Sequence, residues 1–398
     1  MSDYVIAPSD PYVEDGWVTL SASVRHPVRG NERLWFQLPE EYADLATDLQ
    51  DPFVYATLHD AMGAAGSVRV EGRISEGLAA SAEEYSAFWS TVAGNRYRPL
   101  QVVADEEVRL GPYEDGYVAA FSGGVDACHA VWRNRCGLLG QRSKKIRFAA
   151  AVHGFDVPID RPDRFDPVLA SIRLQLSSLG LDVVPVRTNF RQFPTTWEHS
   201  HLSSLVGCLA CLNGGVRGVL IGSSGTYRDF VTVWGSNPIS DRMLSHANLH
   251  VHVDGYETPR IEKIRDLAAW PESLAHLRVC WSDSETRGNC GKCVKCLRTA
   301  LALDVFGLLD KVPFDAAPDL SDLRSARPQS PYDLVHLREI LEFCEEHRID
   351  RPWRAKLKKI VARGVSSVTP GRALVNEVRI RAAVRTRLRS LRAGGSLE

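Results

Sequence analysis

The chain has 398 residues, 44% of them hydrophobic and 24% charged, and a formal net charge of −1. This is the composition of a soluble globular protein rather than of a disordered or fibrous one, and the length suits two domains better than one hydrophobic core. The first ten residues contain neither the basic nor the apolar segment of a secretory signal. The most apolar window, residues 202–222, is interrupted by Asn213 and Arg217, so no membrane span is expected.

Residues 1–112 are predicted to form an N-terminal accessory domain. Runs such as WVTLSASVRH and SVRVEGRI are typical of strands, and runs such as SAEEYSAFWSTVAG are typical of helices. This mixture predicts a small α+β domain. The segment contains no group of residues with a recognisable chemistry.

Residues 113–315 are predicted to form a second domain, of the α/β class. Five nearly continuous apolar runs separated by helical patterns predict a doubly wound parallel sheet with helices on both faces. The runs are YVAAF, IRFAAAVHG, DVVPVRTN, GVLIGSS and LHVHVDG. Ligands of such sheets bind beyond the carboxyl ends of the strands, and polar residues follow all five runs. These polar residues are 122–126, 153–156, 187–189, 222–224 and 254–255.

The first of these polar segments is a glycine loop, which consists of Ser122, Gly123, Gly124, Val125 and Asp126. Two glycines between a strand and a helix leave backbone N–H groups uncovered, and the helix dipole adds partial positive charge there, so the loop suits an anion. It is neither a Walker A loop nor the G-x-G-x-x-G loop of dinucleotide-binding folds. The alternative is a tight turn without a ligand.

Nine cysteines in a chain without a predicted export signal favour a reducing, cytoplasmic compartment. Four of them, Cys280, Cys290, Cys293 and Cys296, have the spacing of a structural zinc site, because four thiolates complete a tetrahedral shell. This predicts a helical zinc lobe over residues 280–306. The alternatives are an iron–sulfur cluster, although the following Cys-Pro of ferredoxins is absent, and buried helix cysteines without a metal.

The glycine loop and the cysteine cluster together resemble the 7-cyano-7-deazaguanine synthase (QueC) family of PP-loop ATP pyrophosphatases. Residues 122–126 match the S-G-G-x-D part of the family's pyrophosphate loop, and the four cysteines match its zinc ligands with their C-G-x-C-x-x-C core. The segment TPRIEKI is similar to the family's K-x-E-[IV] segment, where either Arg260 or Lys263 would face the phosphates. The likeness covers roughly residues 115–310.

This resemblance implies the PP-loop fold, which is similar to that of the adenine nucleotide alpha-hydrolases, with ATP, Mg²⁺ and structural Zn²⁺ as cofactors. It also implies an enzyme that adenylates a carboxylate or amide oxygen of a 7-deazaguanine-type substrate, releases pyrophosphate, and then forms a C–N bond. Ser122, Asp126 and Lys263 would be catalytic. The nucleotide would contact the glycine loop together with Gly222, Ser223, Arg260 and Lys263. Enlarged relatives of this kind are associated with anti-phage defence, which implies a protein as the acceptor.

Four other residues are candidates for substrate contact: His153, Asp156, Asp241 and Arg242. Each lies where a residue that recognises adenine or the substrate would lie, but each is also compatible with an ordinary loop role. Trp234 and Trp281 could stack on a planar base, or they could belong to the core.

The sequence departs from the family at Ala127, which replaces the last serine of the loop, and the flanking segments have no counterpart in the core enzymes. Two alternatives therefore stay open. One is a PP-loop sugar amidotransferase or tRNA-modifying enzyme, and the other is a nucleotide-binding scaffold that has lost turnover.

Residues 316–398 are predicted to form a helical C-terminal extension with a basic end. Residues 351–398 contain 13 Lys and Arg against 2 Glu, which leaves 35 basic and 47 acidic residues in 1–350. Apolar residues at helical spacing predict a basic amphipathic helix between Arg372 and Arg392. Such a helix could bind nucleic acid or an anionic membrane, but the lack of aromatic residues after Trp353 favours packing on the acidic body or on a partner protein.

Overall fold

A computed structural model describes residues 4–111, 116–216, 218–230, 233–280 and 288–364. The described strands are β1 (Tyr4–Glu14), β2 (Trp17–His26), β3 (Gly30–Pro39), β4 (Ser67–Ser75), β5 (Gln101–Val108), β6 (Tyr117–Ala120), β7 (Ile146–His153), β8 (Val183–Thr188), β9 (Gly218–Gly222) and β10 (His250–Asp254). The described helices are α1 (Asp51–Ala64), α2 (Leu78–Val92), α3 (Val125–Arg135), α4 (Pro162–Ser177), α5 (Trp197–Ala210), α6 (Arg260–Asp266), α7 (Pro271–Ala275), α8 (Val294–Val305), α9 (Pro331–Glu346) and α10 (Arg354–Arg363).

All ten strands belong to one mostly parallel sheet, with the order β10-β9-β6-β7-β8-β3-β2-β1-β4-β5. The five strands β10, β9, β6, β7 and β8 are parallel throughout, and each of them coincides with one of the predicted apolar runs. The other half is mixed, because β1, β2 and β3 form an antiparallel meander while β4 and β5 run parallel to β1. The protein therefore has the expected α/β architecture.

Helices cover both faces of the parallel half, as the sequence predicts. Alternate residues of β6 point to opposite faces: Val118 and Ala120 belong to one hydrophobic core, whereas Tyr117 and Ala119 belong to the other. The first core contains residues of α1, α2 and α5, and the second contains residues of α3, α4, α6, α8 and α9. Burial on both faces explains why these strands are almost entirely apolar.

The two halves of the sheet are joined where β3 runs antiparallel to β8. Phe36 pairs with Thr188 and Gln37 pairs with Arg187. The Asn189 side chain strengthens the junction, because its Oδ1 accepts the Trp35 N–H at 3.0 Å and its Nδ2 donates to a carbonyl oxygen of β3 at 2.7 Å. The N-terminal segment thus extends the α/β sheet by five strands.

Three predictions from the sequence concern residues that the structure does not describe. The predicted boundary between residues 112 and 113, the side chain of Trp281 and the basic helix from Arg372 to Arg392 all involve residues that are not described. Within the described ranges, no helix is both long enough and apolar enough to cross a membrane.

Candidate functional site

The glycine loop lies where the strand order of the parallel half reverses. After β6 the chain adds β7 and β8 on one side, and it then returns to place β9 and β10 on the other side. Such a reversal leaves a crevice beyond the carboxyl ends of the two central strands, and this is where ligands of open α/β sheets bind. Ser122 and Gly123 follow β6, and Ser223 follows β9, so the fold brings the first and fourth predicted polar segments together.

The glycine loop needs glycine at position 123 because of the backbone conformation there. Gly123 has a φ of +73°, which residues with a Cβ adopt rarely, and its carbonyl oxygen accepts the N–H of Arg278 at 2.9 Å. Ser122 is exposed, and its Oγ accepts the N–H of Gly124 at 3.4 Å. Helix α3 begins at Val125, whose side chain is buried in the core. The backbone N–H groups of this first helical turn have no acceptor within the helix and are available to an anion.

Gly222 permits the close approach of β9 to the first turn of α3. A Cβ at Gly222 would lie 2.5 Å from the carbonyl carbon of Asp126 and 3.0 Å from the backbone nitrogen of Ala127. Both distances are shorter than van der Waals contact. Any side chain at Gly222 would therefore push α3, and the glycine loop with it, away from the sheet.

The Asp126 carboxylate lies between two cations from α6. Arg260 donates to its Oδ2 through a guanidinium nitrogen, and the ammonium of Lys263 is 3.4 Å from its Oδ1. Lys263 is only 1% exposed and also donates to the carbonyl oxygen and Oγ of Ser223, at 2.6 and 3.0 Å. One buried lysine thus connects the loop after β6 with the loop after β9.

The charges of these groups depend on one another. Burial alone would favour the neutral acid of Asp126, but Arg260 and Lys263 outweigh this effect and hold the pKa of the carboxyl well below its usual range. Burial also lowers the pKa of Lys263, and the negative charge of Asp126 opposes that change. The carboxylate is therefore ionised at neutral pH and partly neutralises the two cations.

Further basic residues surround the same loop. Arg278 lies directly against Gly123, since its Cβ is 3.8 Å from the position that a Cβ on Gly123 would take. Burial lowers the pKa of Lys295, the carboxylate of Asp156 opposes this change, and the guanidinium groups of Arg298 and Arg260 lower the pKa further. We call this group the cation cluster; it consists of Arg260, Lys263, Arg278, Lys295 and Arg298. Arg260, Lys263 and Arg278 contact the glycine loop, and Lys295 and Arg298 lie near them, so the site suits a ligand with several negative charges.

Helix α9, from the C-terminal extension, closes one side of the cation cluster. Arg298 donates to Asp333 Oδ1 at 2.6 Å. The backbone N–H of Arg260 donates to Glu339 Oε2 at 3.2 Å, and His336 Nδ1 lies 3.3 Å from the same oxygen. Burial raises the pKa of Glu339 to about 7, although Lys263 and the bond from Arg260 counteract this.

The four predicted metal ligands come together. The sulfur atoms of Cys280, Cys290, Cys293 and Cys296 all lie within 4.8 Å of one another, with Cys280 and Cys293 at 3.9 Å and Cys290 and Cys296 at 3.8 Å. Four sulfur ligands about 2.3 Å from a tetrahedral zinc ion are about 3.8 Å apart, so the cluster can hold a metal such as zinc.

Backbone groups around the cysteines favour negatively charged sulfur. The Cys290 Sγ accepts N–H groups from Lys292 and Cys293, at 3.4 and 3.3 Å, and the Cys293 Sγ accepts the N–H of Cys296 at 3.4 Å. Gly291 allows this turn with a φ of +70°. Such N–H donors stabilise thiolates, which are the form that binds metal.

Asn289 fixes the two chain segments that supply the cysteines. Its Oδ1 accepts N–H groups from Val279 and Cys280, at 2.8 and 3.3 Å. Its Nδ2 donates to the carbonyl oxygens of Leu277 and Pro313, at 2.7 and 3.0 Å. The side chain is buried and uses donors and acceptors on both sides, so it holds the first cysteine beside the other three.

The predicted substrate residues fall into two groups. His153 and Asp241 are each 2% exposed and are already bonded: His153 Nε2 lies 2.9 Å from the Pro158 carbonyl oxygen, and Asp241 accepts from the backbone N–H of Asn237 at 2.8 Å. Asp156 and Arg242 are exposed. Burial raises the pKa of Asp241 to about 7, despite hydrogen bonds from Asn237 and the Tyr256 hydroxyl. Substrate contact by these four residues stays a prediction.

Trp234 lies beside α9, with its ring stacked on Tyr332 at a centroid distance of 4.6 Å. Tyr332 and Glu339 escape sequence reasoning, because their partners Trp234 and Arg260 are remote in the chain. Asn289 directly precedes Cys290, but an asparagine beside the cysteines gives no signal of its own. Arg278 is only two residues from Cys280 and could have been considered with the cysteine cluster, but a lone arginine gives no signal of its own.

Comparison of the chain with protein-family models, with curated proteins and with solved structures finds no match.

Proposed function

We propose that this protein is a PP-loop ATP pyrophosphatase similar to the QueC family, which adenylates a carboxylate or amide oxygen and then forms a C–N bond. The observation that carries the proposal is the cation cluster around the glycine loop, at the reversal of strand order. Five basic residues stand against four carboxylates that the structure places with them, Asp126, Asp156, Asp333 and Glu339, and the loop leaves backbone N–H groups uncovered. Pyrophosphate, the leaving group of an adenylation, carries several negative charges and therefore suits such a site.

The proposed chemistry has two steps. A carboxylate oxygen of the substrate attacks the α-phosphorus of ATP, so that a new P–O bond forms, the α–β phosphoanhydride bond breaks and pyrophosphate leaves. An amine then attacks the acyl carbon of the adenylate, a C–N bond forms, AMP leaves and the nitrogen loses a proton. The first step is needed because a carboxylate has no adequate leaving group for reaction with an amine at neutral pH.

The residues of this chain would act mainly by electrostatic stabilisation and positioning. The N–H groups of residues 123–126 would hold the β- and γ-phosphates. Arg260 and Lys263 would exchange the Asp126 carboxylate for phosphate oxygens, because a polyphosphate carries more charge than one carboxylate. The Asp126 carboxylate, which is 21% exposed, is then the group that fits Mg²⁺, which prefers oxygen ligands and would neutralise charge on the leaving group.

The substrate class rests on the sequence resemblance. A 7-deazaguanine-type base is planar, and the half-buried ring of Trp234, which stacks on Tyr332 of α9, could also stack on such a base. The acceptor would be ammonia or, as in a defence system, an amine of a protein.

Product analysis tests this proposal directly. The purified protein would be incubated with ATP, Mg²⁺ and a carboxy-deazaguanine, with and without ammonia, and the products separated by chromatography and mass spectrometry. AMP and pyrophosphate are expected, and ADP with phosphate would contradict the assignment. Binding of ATP without turnover would favour the scaffold alternative, and turnover of a sugar or tRNA substrate instead would favour the other PP-loop enzymes.

A matched pair of variants on α6 supplies the control for this experiment. Arg260→Ala removes a cation that contacts Asp126, whereas Arg265→Ala removes one that is 46% exposed and pairs with Glu262 on the surface. Pyrophosphate release should fall at least about tenfold in the first variant and stay unchanged in the second. Equal effects would mean that α6 matters only through net charge.

We also propose that the metal of the cysteine cluster is a structural Zn²⁺. Four cysteine ligands leave no position open for water or substrate, so the ion would hold the lobe together rather than take part in the reaction. Elemental analysis should give about one zinc per chain and no visible absorption band. A broad visible band, together with iron in the elemental analysis, would instead indicate an iron–sulfur cluster.

A further inference from the structure

The first turn of α6 carries both cations that contact Asp126, but it has no cap of its own. Its N-cap residue is Pro259, which provides no side-chain hydrogen bond. The backbone N–H of Arg260 is therefore one of the groups that the helix itself cannot satisfy. It donates instead to Glu339 Oε2 at 3.2 Å, across 79 positions of the sequence.

Glu339 is well placed to act as this acceptor. Its side chain is 13% exposed, and the oxygen that accepts from Arg260 also lies 3.3 Å from His336 Nδ1. The charged or titratable groups around it are Arg260 and Lys263 from α6, Asp126 from α3 and His336 from its own helix. Burial and the positive charges of Arg298 and Arg260 keep the pKa of His336 well below its usual value, so the imidazole is neutral.

Helix α9, which carries Glu339, is itself fixed in position. Its N-terminus has a capping box, in which Ser330 Oγ accepts the N–H of Asp333 at 3.1 Å and Asp333 Oδ2 accepts the N–H of Ser330 at 3.1 Å. The other oxygen of Asp333 binds Arg298 of α8. Leu337 and Ile340 are buried in the same core as the apolar residues of α6. Glu339 is thus presented by a rigid element rather than by a loop.

We propose that Glu339 is a positioning residue, which accepts the Arg260 N–H from α9 and thereby holds the first turn of α6 with Arg260 and Lys263 facing the glycine loop. This inference rests on the proposed function, because it assumes that the two cations bind a phosphate-type anion. It also gives the C-terminal extension a role in the site, although the likeness to PP-loop enzymes ends before α9.

Three substitutions separate the position of this acceptor from its charge. Glu339→Gln keeps an oxygen at the same reach and removes the charge, whereas Glu339→Asp keeps the charge and withdraws the oxygen by one methylene. Glu339→Ala removes both. Glu342→Ala is the matched control, because Glu342 is an exposed glutamate on the same helix.

The readout is the affinity for inorganic pyrophosphate, measured by calorimetry at pH 8 and well below the unfolding temperature of each variant. We expect Glu339→Gln and Glu342→Ala to bind at least as tightly as the unmodified protein, and Glu339→Asp and Glu339→Ala to bind about five- to tenfold more weakly, as the loss of one hydrogen bond predicts. A merely structural role would lower the unfolding temperature without this rescue by glutamine. If Glu339→Ala does not fold, the difference in pyrophosphate affinity between Glu339→Gln and Glu339→Asp still tests the positioning role.

The possible failures can be told apart. If the unmodified protein binds no pyrophosphate, the proposed function fails and this inference fails with it. If the unmodified protein binds pyrophosphate and Glu339→Asp binds equally well, only the positioning role is overturned. The same follows if Glu339→Gln binds as weakly as Glu339→Ala.

Discussion

The cysteine cluster and the cation cluster are neighbours in the fold, but their charges are organised in opposite ways. In the cysteine cluster the sulfur atoms face one another within 4.8 Å, and backbone N–H groups approach them from outside. In the cation cluster five basic residues lie beside or near a glycine loop, and the carboxylates that interact with them include Asp126, Asp156, Asp333 and Glu339. The first arrangement could close around a single small ion, whereas the second has more basic than acidic side chains.

This difference indicates how to distinguish a structural site from a reactive one. A closed shell of ligands gains stability when its ion binds, and that free energy contributes directly to folding. A surplus of like charge costs stability until a ligand neutralises it, so it is expected where a ligand binds and leaves. Changes in the cysteine cluster should therefore affect folding first, and changes in the cation cluster should affect binding and turnover first.

The largest effect is expected for Cys293→Ser. Loss of one of four ligands should release the metal, and because metal binding contributes to folding we expect precipitation or a fall in unfolding temperature of more than about 10 °C. The measurements are zinc content and thermal unfolding. Cys136→Ser, at an exposed cysteine outside the cluster, should change neither. A Cys293 variant with unchanged stability would mean that the cluster is not a structural metal site.

Two aspartates on the same edge of the sheet give the next effect. Asp126→Asn removes the carboxylate that lies among cations, and we expect at least about a hundredfold loss of pyrophosphate release with the fold intact. Asp241→Asn removes a buried carboxylate whose contacts are neutral donors; activity within about threefold would contradict the predicted substrate contact of Asp241, and a larger loss would support it. Steady-state kinetics with circular dichroism checks both. A larger loss from Asp241→Asn than from Asp126→Asn would reverse the assignment of their roles.

The sequence alone predicts the parts of the fold and of the site that depend on local pattern. Each apolar run of the parallel half became a strand within one or two residues of its expected ends, because burial on both faces requires continuous apolar sequence. The cysteine spacing predicted a cluster correctly, because closely spaced ligands in a short segment can meet without help from the rest of the chain. The glycine loop was predicted at a strand end for a similar reason.

Other features depend on contacts between distant segments and could not be predicted in this way. The pairing of β3 with β8 involves only two residue pairs, which no local pattern indicates. Glu339 meets Arg260 only because α8 and α9 pack beside α6. Asp241 lies in the long connection between β9 and β10, and its burial follows from packing that a single sequence does not contain.

A smaller effect is expected for Gly222→Ala. Its methyl group would collide with the carbonyl group of Asp126, and separating β9 from α3 should lower the free energy of unfolding by about 2–3 kcal/mol. Gly63→Ala is the control, since Gly63 is exposed in α1 and a Cβ there has nothing within 4 Å; it should be neutral or stabilising by up to about 1 kcal/mol. Denaturant unfolding measures both. Equal stability of the two variants would show that α3 can move away from β9 without cost.

The smallest effect is the pH dependence that Glu339 gives to the cation cluster. Its pKa is raised by burial to about 7 from an ordinary value of 4.5, so it loses a negative charge as the pH falls from 8 to 6. Asp126 stays ionised and His336 stays neutral over this range. The net positive charge of the cluster therefore increases, and pyrophosphate should bind about two- to threefold more tightly at pH 6 than at pH 8, once the protonation of pyrophosphate itself is accounted for.

Glu339→Gln supplies the control for that comparison, because it keeps the hydrogen-bond acceptor and cannot titrate. Pyrophosphate itself is protonated in this pH range, but this affects both proteins equally and cancels in the ratio of their affinities. The variant should therefore bind more tightly than the unmodified protein at pH 8 and equally at pH 6. The free energy of unfolding of the unmodified protein should also depend on pH through Glu339. Because the folded protein holds this proton to a higher pH than the unfolded chain does, the stabilisation is complete below about pH 4.5 and is lost as the pH rises through 7. A ratio of affinities that is constant between pH 6 and 8 would mean that Glu339 does not titrate beside the bound anion.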